Sequence, residues 1–237
     1  MMSALKLMQN LDMFGFPVCV FNNPVHEKYK DALLQEKEIN KIACPPGHDT
    51  PHTFMSGIHD EVQFIKRESE SMSSLREVFN ACLDYYYNDV LKTKFIKGTS
   101  WEYLRSWCFS PTEHYHSERE QHFHGHWMSC VTILYYLDYP PGSGGLSFKS
   151  DTNKNSAFYY VEHEGLNNVK TVQAQEGTVM VFPSCLLHAV EKCESNAYSK
   201  RSTIVADTCP SVIDPHADAG IAMNAIHINR VPLSPLP

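Results

Sequence analysis

The second half of this chain is a series of short strand-forming segments with no helical pattern between them. From Trp101 onward, runs of aromatic and β-branched residues alternate with turn signals, of which residues 140–145 are the clearest. A parallel sheet needs crossover helices, so this succession predicts an antiparallel double-sheet jelly roll or a closely related barrel. The predicted strands are residues 103–109, 129–138, 146–148, 157–163, 169–174, 178–182, 187–190 and 201–207.

The start of the chain carries the signals of one strand and a first helix. Residues 16–21 form a short apolar run that is typical of a strand. Asn23 and Pro24 predict the start of a helix, with Asn23 as the N-cap and Pro24 at the first helical position. This helix is expected to end before Pro45 and Pro46, because proline cannot continue it.

A second helix is predicted from an apolar stripe over residues 75–90. Its start is placed at Ser74, which together with Glu77 matches a capping box. Apolar side chains that include Leu75 and Phe79 recur at helical spacing. One face of this helix is therefore expected to pack against the outside of a sheet.

Composition limits the partners and the compartment that are expected. The chain has 237 residues, of which 43% are hydrophobic, so it can bury a sizeable core. Its net charge of −7 argues against a nucleic-acid partner, because binding to a phosphate backbone usually needs a basic surface. It has eight cysteines, none in a Cys-x-x-Cys pair, and no apolar run that approaches a membrane span. We expect a cytoplasmic protein with free thiols and no membrane partner; its oligomeric state is left open.

Three histidines, His122, His124 and His126, alternate with other residues directly before an apolar strand. Side chains two positions apart on an extended segment share a face, so two of these imidazoles can be directed at one point. Neutral imidazole is the commonest protein ligand of transition metals. The pattern predicts a metal site. The candidate ligand pairs are His124 with His126, His122 with His124, and His114 with His116.

A third ligand and a cation follow further along the chain. His188 lies just beyond a strand and a turn, where the next strand of a jelly roll can return it toward the first histidines. Arg201 and Thr203 lie two positions apart on the last predicted strand, so they share a face. The guanidinium can pair with a carboxylate through two hydrogen bonds, and the threonine hydroxyl can hold the same anion.

The order of these motifs resembles that of the iron(II)- and 2-oxoglutarate-dependent oxygenases. The segments are His-x-His, Val-Thr-Ile-Leu-Tyr-Tyr-Leu-Asp, Ser-Gly-Gly-Leu-Ser-Phe, Gly-Thr-Val-Met-Val-Phe-Pro-Ser with a following His, and Arg-Ser-Thr. The likeness covers residues 101–208 and is closest to a group of bacterial and phage oxygenases with a His-x-His motif. The Tyr-Tyr-Leu-Asp and Ser-Gly-Gly segments also resemble the prolyl hydroxylases.

The resemblance implies a fold, a reaction and a set of site residues. The fold is a double-stranded β-helix, a mainly β, cupin-like jelly roll with flanking α-helices. The reaction uses Fe2+, 2-oxoglutarate and O2 to hydroxylate a small-molecule or peptidyl substrate, and it converts 2-oxoglutarate to succinate and CO2. The residues that match the family's metal ligands are His124, His126 and His188, and those that match its 2-oxoglutarate site are Arg201, Thr203 and Tyr136.

One position departs from the family pattern. The family usually has Asp where this chain has His126, so this ligand set contains no negative charge. Two alternative functions are a cupin-like three-His metalloenzyme that does not use 2-oxoglutarate and a non-catalytic jelly-roll binding module. Arg201 separates these alternatives from the oxygenase, because only the oxygenase needs a buried cation near His188.

A single domain is predicted for the whole chain. Residues 1–100 supply the first strand and the supporting helices, residues 101–208 the β-helix, and residues 209–237 a proline-containing surface tail. Within the β-helix, Asp207 is interpreted as a turn residue at a strand end, and Trp107 as a residue of the core.

Overall fold

The fold is described by a computed structural model that covers residues 5–43, 64–92, 99–109, 123–126, 129–150, 168–191 and 201–212. These ranges form nine strands and two α-helices. Neither helix has the length and apolarity needed to cross a lipid bilayer. In chain order, the elements are β1 (Leu7–Met13), β2 (Phe16–Asn22), α1 (His26–Ala43), α2 (Glu70–Tyr85), β3 (Thr99–Phe109), β4 (Val131–Asp138), β5 (Gly145–Lys149), β6 (Val169–Gln173), β7 (Thr178–Pro183), β8 (Leu187–Val190) and β9 (Ser202–Val212).

The described strands form two antiparallel sheets that face each other. One sheet has six strands in the order β1-β2-β7-β4-β9-β3, and the other has three in the order β6-β5-β8. Most neighbours within a sheet come from distant parts of the chain, and every strand pair is antiparallel. The fold expected from the sequence, a mainly β double-stranded β-helix with flanking helices, is confirmed.

Both faces of the six-stranded sheet are covered. Tyr135 of β4 belongs to one apolar cluster with Phe79 of α2. The next residue, Tyr136, points to the opposite face and belongs to a second cluster with Phe148 of β5. A strand that is buried on both faces has to be nearly apolar throughout, which explains the continuous apolar run of β4.

Helix α1 begins at His26, two residues beyond the predicted first position. Asn23 Oδ1 accepts a hydrogen bond from the Val25 amide at 3.0 Å, which is the contact expected of an N-cap with the second residue after it, although the regular helix begins only at His26. Asn23 therefore shapes the turn that leads from β2 into the helix. The helix is described as far as Ala43, and its predicted stop before Pro45 lies outside the described residues.

Helix α2 begins earlier than the capping box predicts. Its N-cap is Ser69, whose side chain accepts a hydrogen bond from the Met72 amide. Ser74 and Glu77 lie inside the helix, so the predicted capping box is wrong. The earlier start adds Met72, which is fully buried, to the face that packs on the outside of the six-stranded sheet. Ser69 and Ser74 have the same local capping ability, so the tertiary packing determines which of them is the N-cap.

The strand set differs from the prediction at both ends. β1 has a polar residue at most of its exposed positions and gives no clear strand signal. β9 continues to Val212 and so includes the first residues of the predicted tail. Pro210 is tolerated there because β4 pairs with β9 only as far as Thr208, which leaves this end paired on one side. The predicted strand at 157–163 and the tail beyond 212 lie outside the described residues, and the single-domain organisation stays a prediction.

The position of the N-cap of α2 can be tested by substitution. We expect Ser69→Ala to lower the free energy of unfolding by about 1 kcal/mol, because the Met72 amide loses its acceptor. Ser74→Ala is the matched control and should be neutral or slightly stabilising, because alanine is the best helix former. Urea denaturation followed by circular dichroism measures both. A larger loss for Ser74→Ala than for Ser69→Ala would restore the capping-box assignment.

Candidate metal centre

Three imidazoles meet at one end of the space between the two sheets. The ring nitrogens of His124, His126 and His188 lie within 4.8 Å of one another. The ring centroids of His124 and His188 are 4.6 Å apart, and those of His126 and His188 are 5.0 Å apart. His126 and His188 are buried, whereas His124 is exposed and forms the solvent side of the cluster.

Backbone pairing brings the two parts of this cluster together. The segment 123–126 lies antiparallel to β8, and His124 and His188 exchange two backbone hydrogen bonds of 3.0 and 2.9 Å. The His126 amide then donates to the Ser184 carbonyl at 2.7 Å. The His-x-His segment thus adds to the edge of the smaller sheet beside β8, and this addition places residues that are distant in sequence side by side.

Gly125 permits this close approach. A Cβ atom at this position would lie 3.2 Å from the Ser184 carbonyl oxygen and 3.3 Å from that of Cys185. Both distances are tighter than ordinary van der Waals contact, and both neighbours are backbone atoms that cannot rotate away. The residue between the two histidines therefore has to be small for the segment to reach the turn between β7 and β8.

Hydrogen bonds assign the proton positions of the two buried imidazoles. His188 Nδ1 lies 2.9 Å from the Leu186 carbonyl oxygen, which can only accept, so Nδ1 carries the proton. His126 Nδ1 lies 2.6 Å from Oδ1 of Asp207 and donates to it in the same way. The Nε2 atoms of both rings are therefore the ones that keep a lone pair for a metal ion.

The environment of His188 keeps its ring neutral. Burial, with the nearby His124 ring as a second cause, lowers the pKa of His188 to about 3. Its ring lies against the aromatic rings of Phe182 and Phe148, with centroids 4.9 and 6.4 Å away. A neutral imidazole in an apolar wall is the form that binds a cation without first losing a proton.

Asp207 is fully buried behind His126 and is not the turn residue that the sequence suggested. Thr132 donates to its Oδ1 at 2.9 Å, and the Arg105 guanidinium donates to its Oδ2. Burial by itself would raise the pKa of Asp207, but the hydrogen bonds from His126 and Arg105 and the positive charge of Arg105 outweigh it and hold the pKa below its ordinary value. The carboxylate is therefore charged at neutral pH.

A second polar cluster lies at the other end of the same space. Arg201 is 1% exposed, donates to the Ser143 carbonyl, and lies with its guanidinium carbon 4.8 Å from the centre of the Tyr139 ring. The Tyr139 ring in turn packs edge-on against Tyr136. Thr203 is also buried, and its hydroxyl has no hydrogen-bond partner among the described residues.

The register of β4 and β9 turns one face of this strand pair toward both clusters. Thr132 lies opposite Asp207 at the histidine end, and Tyr136 lies opposite Thr203 at the arginine end. Tyr136 is fully buried, and burial raises its pKa well above the ordinary value, so its hydroxyl stays protonated and can donate to an anion. This face thus has the three imidazoles beside one end and groups that can donate hydrogen bonds at the other.

The described residues contain all six predicted site positions, and the structure brings them together as two groups. His122, His114 and His116, which belong to the competing ligand pairs, lie outside the described residues. Trp107 is half-buried, with its ring centroid 5.5 Å from that of His126, so it packs beside the metal centre. The sequence analysis missed the role of Asp207. Its even spacing from Arg201 and Thr203 was the signal that it shares their face.

Comparison with known proteins supports the family resemblance. Residues 105–207 match the model of the family described as "Putative 2OG-Fe(II) oxygenase". No curated protein matches the sequence significantly. This matched segment includes all six predicted site residues.

Solved structures that are similar to this chain include two proteins from Streptomyces and a prolyl hydroxylase. HygX from Streptomyces hygroscopicus, with nickel and 2-oxoglutarate bound, has a TM-score of 0.54 and 14% identity, and the alignment covers 82% of this chain and 83% of HygX. AviO1 from Streptomyces viridochromogenes has a TM-score of 0.51 and 14% identity, with 84% and 90% covered. A prolyl hydroxylase from Trichoplax adhaerens has a TM-score of 0.48 and 17% identity, with 81% and 82% covered.

The first two likenesses support the β-helix fold, and the family match falls on the strands that carry both clusters. The five motifs of the sequence all lie within the matched residues. Residues 105–207 of this chain are thus similar to the 2OG-Fe(II) oxygenases, and the two Streptomyces proteins share its β-helix fold.

Proposed function

We propose that His124, His126 and His188 hold the ferrous ion, and that Arg201, Thr203 and Tyr136 hold the far carboxylate of 2-oxoglutarate. One observation carries the proposal: the three imidazoles lie at the Asp207 end of the β4–β9 pair, and Tyr136 and Thr203 lie opposite each other toward its other end, on the same face. 2-Oxoglutarate is a short molecule with an anionic group at each end. It can therefore bind a metal at one end and a buried cation at the other.

The residues present fit the metal. The donor set consists of imidazoles, which suit ferrous iron, and in two of the three rings the hydrogen bond at Nδ1 leaves Nε2 with its lone pair. Carboxyl-containing 2-oxoglutarate supplies the negative charge that three neutral ligands lack. Apolar rings of Phe148 and Phe182 line the His188 side and restrict the access of water.

The residues present also fit 2-oxoglutarate. A buried arginine is costly unless an anion or other acceptors compensate it, and Arg201 lies 1% exposed beside a threonine hydroxyl that has no partner in the described residues. A carboxylate accepts hydrogen bonds only, and Arg201, Thr203 and Tyr136 can all donate. The burial of Arg201 favours this function over a cupin-like enzyme that does not use 2-oxoglutarate.

The bound iron and 2-oxoglutarate supply the oxidising power, and the chain supplies binding, orientation and exclusion of water. In the overall reaction, the substrate C–H bond takes up one oxygen atom of O2 to give the alcohol. The other atom enters succinate, which forms with CO2 from 2-oxoglutarate. His124 is the exposed ligand, so the substrate approaches from its side of the cluster.

The substrate class and the compartment are further parts of the proposal. A small molecule or a peptide side chain is proposed as the substrate, and the cytoplasm is proposed as the compartment. The six cysteines in the described residues are free thiols, as expected in a reducing environment. Anaerobic addition of Fe2+ with and without 2-oxoglutarate tests the assignment directly: a weak visible charge-transfer band should appear only when both are present.

Loss of His188 should abolish metal binding. The variant His188→Ala removes the ligand that is buried deepest in the cluster, and His124 and His126 alone leave too few protein ligands for stable binding. Isothermal titration with Fe2+ under anaerobic conditions measures the loss. His26→Gln is the matched control, because His26 is also buried but contacts Tyr135 and Glu176 on the helix-covered side of the sheet. Retained binding in His188→Ala would refute the ligand set.

Loss of Arg201 should weaken 2-oxoglutarate binding without changing iron binding. Removal of one side of a buried charged pair typically costs about 3–5 kcal/mol, which is roughly a hundredfold to a few thousandfold in affinity. Arg201→Ala should show this loss in the charge-transfer titration. Arg201→Lys should recover part of the affinity, because lysine keeps the positive charge but lacks the two parallel N–H donors of the guanidinium. Arg67→Ala is the control, because Arg67 pairs with Glu36 between the helices. Parent-like affinity in Arg201→Ala would contradict the 2-oxoglutarate site.

Thr203→Val should have opposite effects on the free protein and on the complex. The free protein gains stability, because valine has the same shape and removes a buried hydroxyl that lacks a partner in the described residues. The complex loses one hydrogen bond to the carboxylate, so 2-oxoglutarate affinity should fall about three- to tenfold. Thermal unfolding without ligand and titration with 2-oxoglutarate measure the two effects. A loss of stability with unchanged affinity would show that Thr203 has a structural role only.

A further inference from the structure

We infer that Asp207, through its hydrogen bond to His126, is a positioning residue that replaces the carboxylate ligand missing from this metal centre. The inference rests on the proposed function, because it takes His126 to be a ligand. It explains how a site of three neutral imidazoles can hold a ferrous ion in a fold whose usual ligand set includes a carboxylate. The negative charge lies one hydrogen bond behind the ligand instead of on it.

Hydrogen bonds hold the Asp207 carboxylate in one orientation. Its Oδ1 accepts from His126 Nδ1 at 2.6 Å and from the Thr132 hydroxyl at 2.9 Å. The Thr132 hydroxyl is itself 2.8 Å from the Ser184 hydroxyl, and the Ser184 carbonyl accepts from the His126 amide. The Asp207 carboxylate and the His126 backbone therefore belong to one hydrogen-bonded network, and this network fixes the rotation of the His126 ring.

The charge of Asp207 acts mainly on His126. Arg105 also donates to this carboxylate, but its side chain is 36% exposed whereas Asp207 is 0% exposed. Water screens the guanidinium more than it screens the buried carboxylate. A carboxylate that accepts the Nδ1 proton raises the basicity of the ligating Nε2 atom, and loss of such a partner typically costs about ten- to a hundredfold in metal affinity.

The variant Asp207→Asn separates this role from a merely structural one. Arg105 can only donate, so the new amide has to turn its oxygen toward Arg105 and its NH2 group toward His126. His126 Nδ1 must then accept, which moves the ring proton to Nε2 and removes the lone pair that binds metal. The substitution keeps the shape of the side chain and reverses the proton position of the ligand.

Two measurements test the inference. Co2+ titration by visible absorption should show a metal affinity about ten- to a hundredfold weaker in Asp207→Asn. Thr208→Val is the matched control and should bind like the parent, because Thr208 is the next buried residue of β9 and its hydroxyl donates to the Val131 carbonyl, not to a histidine. Nitrogen-15 NMR of the metal-free parent protein, with the His126 signal assigned from the His126→Gln spectrum, should find the proton on Nδ1.

The outcomes distinguish this inference from the proposed function. If the parent binds cobalt and Asp207→Asn binds it equally well, the inference about Asp207 is overturned and the proposed function is not. A parent protein that binds no cobalt overturns the ligand set and the inference with it. If Asp207→Asn does not fold, the NMR measurement on the parent still decides, since a proton on Nε2 of His126 would overturn the inference.

Discussion

The antiparallel register of β4 and β9 is the constraint on which the rest of this structure depends. It sets Thr132 opposite Asp207 and Tyr136 opposite Thr203, on the face that looks into the space between the sheets. Because side chains alternate along a strand, a slip of one residue would turn every one of these groups toward the helices. The apolar residues of β4 that alternate with them are buried under α1 and α2, so the same packing that stabilises the domain also fixes the register.

The same strand then has to carry two buried charges. Arg201 precedes β9 and Asp207 lies near its middle, and each is 1% exposed or less. A buried charge without compensation is expensive, so each is surrounded by groups of the right kind. Arg201 has the Ser143 carbonyl and the Tyr139 ring, and Asp207 has donors from three other segments of the chain. Both ends of the site are thus held in place before any ligand binds, which reduces the ordering that binding requires.

The metal centre depends on a contact that lies outside the regular strands. His124 pairs with His188 through two backbone hydrogen bonds, and this isolated bridge brings the His-x-His segment beside β8. Gly125 makes room for the approach, because a side chain there would meet two backbone carbonyls. The histidines alone therefore do not make the site; the small residue between them and the turn that follows β7 are equally necessary.

Much of this arrangement was predictable from the sequence, because it follows from local periodicity. The antiparallel β-helix, the His-x-His segment and the shared face of Arg201 and Thr203 all rest on the two-residue repeat of a strand. The strand β1 was not predictable, since its residues alternate weakly and its stability comes from pairing with β2. The start of α2 was misplaced because Ser69 and Ser74 have equal capping ability, and only the burial of Met72 distinguishes them.

The sequence by itself determined the class of the fold, the residue types of the metal site and the anion-binding residues, because strand periodicity and side-chain chemistry are local properties. Only the tertiary structure decided that Asp207 lies behind His126, since that contact joins residues 81 positions apart through strand pairing. A sequence records which side chain carries a negative charge. It does not record how deeply that charge is buried or which ring donates a hydrogen bond to it. Those depend on the packing of two sheets, which places a strand aspartate in a hydrogen bond with a buried histidine.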